Sequence, residues 1–351
     1  MIKRRTSKQI TIGNVKVGGD APISVQSMCN TDTCDINATL YQLNEFAEKG
    51  CEIARLAVLN SDAASAIKEI VKKSPIPLVA DIHFDYKLAI ECLNNGIHAL
   101  RLNPGNIGKR ENVEKVVKLA KINQTPIRIG VNAGSLEKEL LEKEIPLHEK
   151  MVLSAMKHIR ILEDLNFDLI KVSLKSSDVL TTIEAYRSIA EKIPYALHLG
   201  VTEAGTMRQG LIKSSIGLGT LLAEGIGDTI RVSLTENPVE EVTAGFDILK
   251  ALGLRKRGVN FVSCPTCGRT KIDLISLAKQ VEARFKDLEA PITIATMGCV
   301  VNGPGEARHA DFGIAGGIGE GLIFQKGEIV AKVPEKELLN KLEEIIRKSY
   351  K

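Results

Sequence analysis

PLVADIHFD, residues 77–85, sets the pattern for most of the chain. A short apolar run ends in Asp81 and His83, and residues 85–95 follow with Leu, Ile and Ala at helical spacing. The same unit recurs in both directions. Further strand-type runs lie at 22–27, 52–58, 98–102, 126–131, 168–174, 195–201 and 228–234. Helical spacing fills 37–50, 61–73, 110–122, 148–165, 178–192, 206–225 and 238–252. Eight strands alternating with eight helices over about 250 residues predict an α/β fold closed as a (β/α)8 TIM barrel. An open doubly wound sheet usually has fewer strands and a Gly-rich first turn, and no GxGxxG follows the first strand. Residues 9–17 read as a β-hairpin around Gly13-Asn14.

The ends of the strand runs carry polar groups: Arg55, Asp81 and His83, Arg101 and Asn103, Arg128 and Asn132, Lys175, Glu203, then Arg231 with Ser233. Arg55 to His83, Lys175 to Glu203 and Glu203 to Arg231 are each 28 residues apart, the length of one βα unit. A barrel gathers such positions at one mouth, where active sites form. A ring of internal salt bridges is the alternative use for any single member. For the set it weakens, because Arg55, Arg101, Arg128, Lys175 and Arg231 face only Asp81 and Glu203. Uncompensated charge in a low-dielectric mouth is costly, so an anionic ligand is expected. Several Arg forks suit phosphate or diphosphate.

Composition narrows the classes. In 351 residues, 44% hydrophobic and 26% charged, the net charge is only +4. That describes a folded globular chain and gives no support to a nucleic-acid surface. Trp is absent, with 5 Tyr and 8 Phe, so base stacking is poorly served. No apolar run approaches the roughly 18–20 residues of a membrane span. Met1-Ile-Lys-Arg-Arg5 is basic but opens no apolar stretch, so the expected location is the cytoplasm.

The composition changes after residue 253. Gly253-Leu-Arg-Lys-Arg-Gly258 reads as a linker, which places a barrel domain at 1–253 and a smaller α/β domain at 254–351. In the second, strands are expected at 259–263, 291–297, 311–315 and 321–332, and helices at 271–286 and 334–349. Cys264-Pro-Thr-Cys267 is a CxxC turn, and Cys299 opens a Gly-rich stretch containing Glu306. Structural zinc favours a second knuckle, which is missing. Three thiolates and one oxygen ligand suit an iron–sulfur cluster with one distinct, exchangeable iron. Spacing alone does not separate the two. Cys51 and Cys92 fall in or beside helical segments, as small core residues do. Cys29 and Cys34 lie in the loop after the first barrel strand.

The motifs together resemble the 4-hydroxy-3-methylbut-2-enyl diphosphate synthase family along essentially the whole chain. They are VQSMCNTDT at 25–33, ADIHFD at 80–85, RLNPGNIG at 101–108, RIGVNAGSL at 128–136 and SLKSSDV at 173–179. HLGVTEAG at 198–205, SCPTCGRT at 263–270 and GCVVNGPGEA at 298–307 complete them. By its length the chain is expected to be the shorter, bacterial form without the extra domain of plant-type members. The resemblance implies a [4Fe-4S] cluster on Cys264, Cys267, Cys299 and Glu306. It implies 2-C-methyl-D-erythritol 2,4-cyclodiphosphate as substrate, reductively opened with loss of water. Implied contacts are Arg55, His83, Arg101, Asn103, Arg128, Asn132, Lys175, Ser176, Arg231 and Ser233, with Asp81 among them at the mouth. Glu203 is the expected proton donor. Expected partners are flavodoxin or ferredoxin as electron donor and a second copy of the chain, in a head-to-tail homodimer whose cluster domain faces the other chain's barrel. No nucleic acid and no membrane are expected.

Two other classes are compatible with parts of the sequence. A zinc-stabilised barrel enzyme of aldolase type would use Lys175 as its Schiff-base former. An RNA-binding module would use the CxxC domain, against which the balanced charge and polar mouth argue.

Overall fold

The computed structural model describes residues 2–299, 305 and 307–350. The chain divides into two compact units, Met1–Arg255 and Lys256–Lys351. The division falls just past Arg255 for a physical reason. The Arg255 guanidinium donates to the Ile23 carbonyl at 2.7 Å and pairs with both Glu52 carboxylate oxygens at 3.1 Å, which fastens it to the barrel.

Two short strands open the first unit, β1 (Ile10–Ile12) and β2 (Val15–Val17), paired antiparallel with Gly13 at φ +59° in the turn. Eight parallel strands then close a barrel: β3 (Ser24–Met28), β4 (Ile53–Ala57), β5 (Leu78–Asp81), β6 (Ala99–Arg101), β7 (Ile127–Asn132), β8 (Ile170–Lys175), β9 (Ala196–Leu199) and β10 (Thr229–Ile230). All eight lie within or beside the expected runs. β10 is the shortest, because the chain leaves the ladder after Ile230 and carries Arg231 and Ser233 into the mouth. It still closes the ring by pairing with β3 and β9.

The helices form for ordinary reasons. In Ser61–Lys73 the Asn60 side chain caps the first turn by accepting from the Ala63 N–H. Ala63, Ala64, Ile67 and Ile70 line its buried face at helical spacing, with Lys72 and Lys73 at the C-terminal end of the dipole. Such faces cover the barrel in one continuous apolar core. A second, smaller core joins Ile10, Ile12 and Val17 of the hairpin to Ile53, Val79, Ala99 and Ala196. These last four stand at or near the first residues of their strands. The hairpin thus plugs the N-terminal end and leaves the C-terminal end for chemistry.

The second unit holds a five-stranded sheet in the order β11 (Asn260–Ser263), β12 (Thr293–Met297), β13 (Phe312–Gly316), β14 (Glu320–Gln325) and β15 (Glu328–Pro334). The first three strands are parallel and the last two antiparallel. Its core gathers Val281, Phe285, Ile294, Phe312, Ile323 and Leu342, with the helices Leu274–Phe285 and Leu338–Ser349 contributing. The single strand expected at 321–332 is instead a hairpin. Lys326 (φ +50°) and Gly327 (φ +83°) form its two-residue turn, and the register slips between Ile323 and Phe324. Among the described residues no helix is long and apolar enough to cross a membrane.

Candidate active site

The polar strand ends converge as the 28-residue spacing implies. A cavity of about 190 Å³ at the C-terminal end of the barrel is lined by Arg55, Asp81, His83, Arg101, Arg128, Asn132, Lys175, Arg231 and Ser233. Ser173 and Thr202, which sequence reasoning passed over, line it too. Ser173 stands two residues before Lys175 on the inward face of β8, a period-2 signal that could have found it.

Room for the cations comes from two glycines. A Cβ on Gly130 would lie 2.6 Å from Arg101 Nε, and one on Gly200 would lie 2.5 Å from Lys175 Nζ. A larger residue at either position would have to displace the cation beside it.

Asp81 organises one wall. It pairs with Arg101 Nη1 at 3.1 Å, Arg55 Nε at 3.7 Å and His83 Nε2 at 3.7 Å. Burial alone would raise its pKa. Arg55, the His83 hydrogen bond and Arg101 outweigh that, and hold the carboxyl well below the usual carboxylate range. Arg101 also donates to the Gly130 carbonyl at 2.9 Å, which fixes its fork. Opposite, Arg231 binds Glu241 through Nε at 3.0 Å and Nη2 at 3.2 Å.

Arg128 and Lys175 have no such partner: among the described residues no carboxylate lies within ion-pair reach of either. Both are buried, 2% and 6% exposed. Desolvation first, then the neighbouring cations, pull both well below their ordinary pKa values. Desolvation likewise brings Arg55 down to about 10. The cavity therefore has an unmet demand for negative charge.

Three expected residues take other positions. The Asn103 amide exchanges hydrogen bonds with Gly130, donating to its carbonyl at 3.0 Å and accepting from its N–H at 2.9 Å, so it braces β7 beside the cavity. Ser176 is buried, and its hydroxyl accepts from the Asp178 N–H at 3.1 Å. Glu203 is exposed and outside the cavity lining, and holds φ +53°. That left-handed conformation is uncommon and strained for a non-glycine residue.

The cysteines of the second unit also come together by topology. Cys264 directly follows β11, and Cys299 lies two residues past β12. These strands are adjacent and parallel, with Ser263 beside Thr296, so both loops leave the same sheet end. The Gly298 N–H donates to Cys264 Sγ at 3.2 Å. Cys267 is exposed, and its thiol sits below its ordinary pKa. The Arg269 backbone N–H contributes most to this, aided by the Thr270 hydroxyl and Arg269 charge, against burial and the nearby Cys299 thiol. Hydrogen bonds to sulfur favour the thiolate, the form in which cysteine ligates metals. Glu306 lies outside the described residues. Among the described residues no three side chains converge as ligands of a single metal ion. Cys29, Cys51 and Cys92 are buried, and desolvation pushes each thiol up to about 12, away from reactivity. Cys34 is exposed.

Comparison with known proteins follows the same two-unit division. The family model described as the GcpE TIM-barrel domain matches residues 7–246, and that of the GcpE protein C-terminal domain matches 260–348. A curated relative from Geobacter sulfurreducens is 63% identical over 337 residues, 96% of each chain. One from Clostridium perfringens is 59% identical over 346 residues, 98% of this chain and 99% of its own. Both are named 4-hydroxy-3-methylbut-2-en-1-yl diphosphate synthase (flavodoxin). Those names do not favour the aldolase alternative. Dihydropteroate synthase from Xanthomonas albilineans overlays with a TM-score of 0.51 at 12% identity, covering 70% of this chain and 98% of that one, a likeness of fold alone.

Proposed function

The chain belongs to the 4-hydroxy-3-methylbut-2-en-1-yl diphosphate synthase family, and from that membership we propose how its residues divide the work. It is an oxidoreductase of the methylerythritol phosphate route to isoprenoids. It converts 2-C-methyl-D-erythritol 2,4-cyclodiphosphate to (E)-4-hydroxy-3-methylbut-2-enyl diphosphate, a two-electron ring opening with loss of water. The observation that carries the site assignment is the cationic cavity. Arg55, Arg101, Arg128, Lys175 and Arg231 surround it, and Arg128 and Lys175 lack any acidic partner among the described residues. A cyclic diphosphate supplies the missing charge and has oxygens for several forks at once.

In this reading the five cations, with His83, Asn132 and Ser233, grip the diphosphate. They stabilise the charge that grows on it as the ring carbon–oxygen bond breaks. Asp81 keeps Arg55 and Arg101 fixed, so little reorganisation is needed during reaction. Asn103 holds β7 in register beside them, and Ser176 holds the turn after Lys175. Glu203, on its strained turn, delivers a proton to the departing hydroxide.

Cys264, Cys267, Cys299 and Glu306 would hold a [4Fe-4S] cluster, which when bound supplies the two electrons. The Gly298 N–H on Cys264 and the lowered Cys267 thiol support that assignment. Flavodoxin or ferredoxin would deliver the electrons; flavodoxin stands in the names of the relatives. We further propose a cytoplasmic homodimer in which the cluster-bearing unit of one chain serves the barrel of its partner, with no role for nucleic acid or membrane. A fully active monomer would rule that arrangement out.

The test is turnover of the cyclodiphosphate by anaerobically purified protein with an artificial reductant. The hydroxybutenyl diphosphate should form, and Arg128→Met should abolish its formation. Unimpaired turnover by Arg128→Met would remove the cavity from the reaction.

A further inference from the structure

Glu241 lies in the first turn of the helix Pro238–Ala251, on no strand-end run of the sequence. An acid there complements the helix dipole, but its neighbour Glu240 does the same from solvent. Glu241 is instead only 2% exposed. A carboxylate that deep must be held by partners, and its partners converge on the cavity.

Both Glu241 oxygens are engaged. Oε2 accepts from Arg231 Nε at 3.0 Å and from the Ser27 hydroxyl at 2.9 Å. Oε1 accepts from Arg231 Nη2 at 3.2 Å and from the Leu234 N–H at 3.1 Å. One side chain thus ties β3, the chain after β10 and its own helix together. The geometry on Arg231 is selective. A guanidinium has two donor edges, and Glu241 occupies the Nε/Nη2 edge. Nη1 is left with a contact to the Met28 thioether at 3.6 Å, a weak acceptor. Arg231 enters the cavity with one edge committed and the other free for a stronger acceptor.

Given the diphosphate reading of the cavity, on which this rests, we propose that Glu241 is the positioning residue that aims Arg231 at the substrate's diphosphate. It touches no substrate and acts through Arg231. It also lowers the cavity's positive excess, by neutralising the one cation it holds.

A binding cycle tests this on the cluster-loaded chain, with inorganic diphosphate as the probe and calorimetry as the readout. Arg231→Met should weaken binding about tenfold or more, the scale of a charge-assisted hydrogen bond. Glu241→Gln, which keeps the shape and loses the charge, should weaken it about tenfold as well. The double variant should bind no worse than Arg231→Met alone, because Arg231 is the cavity cation that Glu241 hydrogen-bonds. In turnover, Glu241→Gln should raise KM more than it lowers kcat. A purely structural Glu241 would lower the melting temperature and leave this coupling at zero. Should Glu241→Gln fail to fold, Glu241→Asp keeps the charge and withdraws it by one carbon, with the same pattern expected. Wild-type binding by Glu241→Gln beside weakened binding by Arg231→Met would overturn the role of Glu241 alone. A Glu241→Gln loss that persists in full in the Arg231→Met background would do so too. Unchanged binding by Arg231→Met would overturn the diphosphate reading of the cavity and this proposal with it.

Discussion

Replacing Lys175 by Met should make the ligand-free protein more stable while destroying its grip on diphosphate. Lys175 ends β8, is 6% exposed, and reaches the cavity over Gly200. Desolvation and then Arg128, Arg231 and Arg55 disfavour its charged form, and the Glu241 carboxylate offsets this only in part. Methionine fills nearly the same volume without the charge. Exchanging buried ions for apolar side chains of similar volume is often neutral or stabilising by about 1–4 kcal/mol, and the gain here should lie in that range. The pH dependence has a definite sign. The folded-state pKa of Lys175 is below its unfolded value near 10.4, so the unfolded chain binds more protons between the two. Stability therefore rises with pH across that window. One such group contributes a slope of up to ~1.4 kcal/mol per pH unit. Lys171, also buried with its pKa pulled down by desolvation, adds a slope of the same sign that survives the substitution. Urea unfolding of the barrel transition at several pH values between 7 and about 10 should give a shallower slope for Lys175→Met than for wild type. In the wild type, diphosphate binding should take up protons, read as a dependence of the calorimetric heat on buffer ionisation. A variant less stable than wild type, with an unchanged pH slope and intact diphosphate binding, would refute the reasoning.

Asp81→Asn leaves Arg55 and Arg101 without their shared carboxylate and should destabilise the barrel by about 3–5 kcal/mol, read by urea unfolding at neutral pH. Because the folded-state pKa of Asp81 is depressed, its contribution is present above the unfolded value near 3.9 and is lost as pH falls through the folded one. The variant's acid unfolding curve should lack that component. Glu203→Gln should lower turnover about 10²–10⁴-fold while leaving diphosphate affinity and iron content unchanged; normal turnover would remove Glu203 from the mechanism. Cys267→Ser should lose acid-labile sulfide and activity but bind inorganic diphosphate as wild type does, since the thiol and the cavity lie in different units.

The barrel was legible because its strands are buried on both sides and read as compact apolar runs, most of them followed by a polar residue, with one βα-unit spacing recurring three times. The same reasoning found most of the cavity, since a strand-end position and a period of one βα unit specify which side chains meet. It missed Glu241 because that carboxylate reaches the mouth from a helix, and nothing in a first-turn Glu distinguishes burial from a solvent-exposed dipole partner such as Glu240. The pairing of Arg231 with Glu241 is a tertiary fact. Asn103 and Ser176 sit at the strand ends the pattern singled out, yet their side chains satisfy local backbone groups, a choice that depends on loop geometry. In the second unit, the run 321–332 concealed a turn at Lys326-Gly327. Apolar residues continue on both sides of it, and the register slip breaks the alternation that would have marked two strands.

The most direct test measures product formed in a single anaerobic turnover against the acid-labile sulfide carried by the same protein. Graded reconstitution should give hydroxybutenyl diphosphate in proportion to sulfide, rising to a full complement of about four irons and four sulfides per chain. Product formation independent of sulfide, or fully iron-loaded protein with no labile sulfide, would contradict a cluster working with a diphosphate-binding barrel.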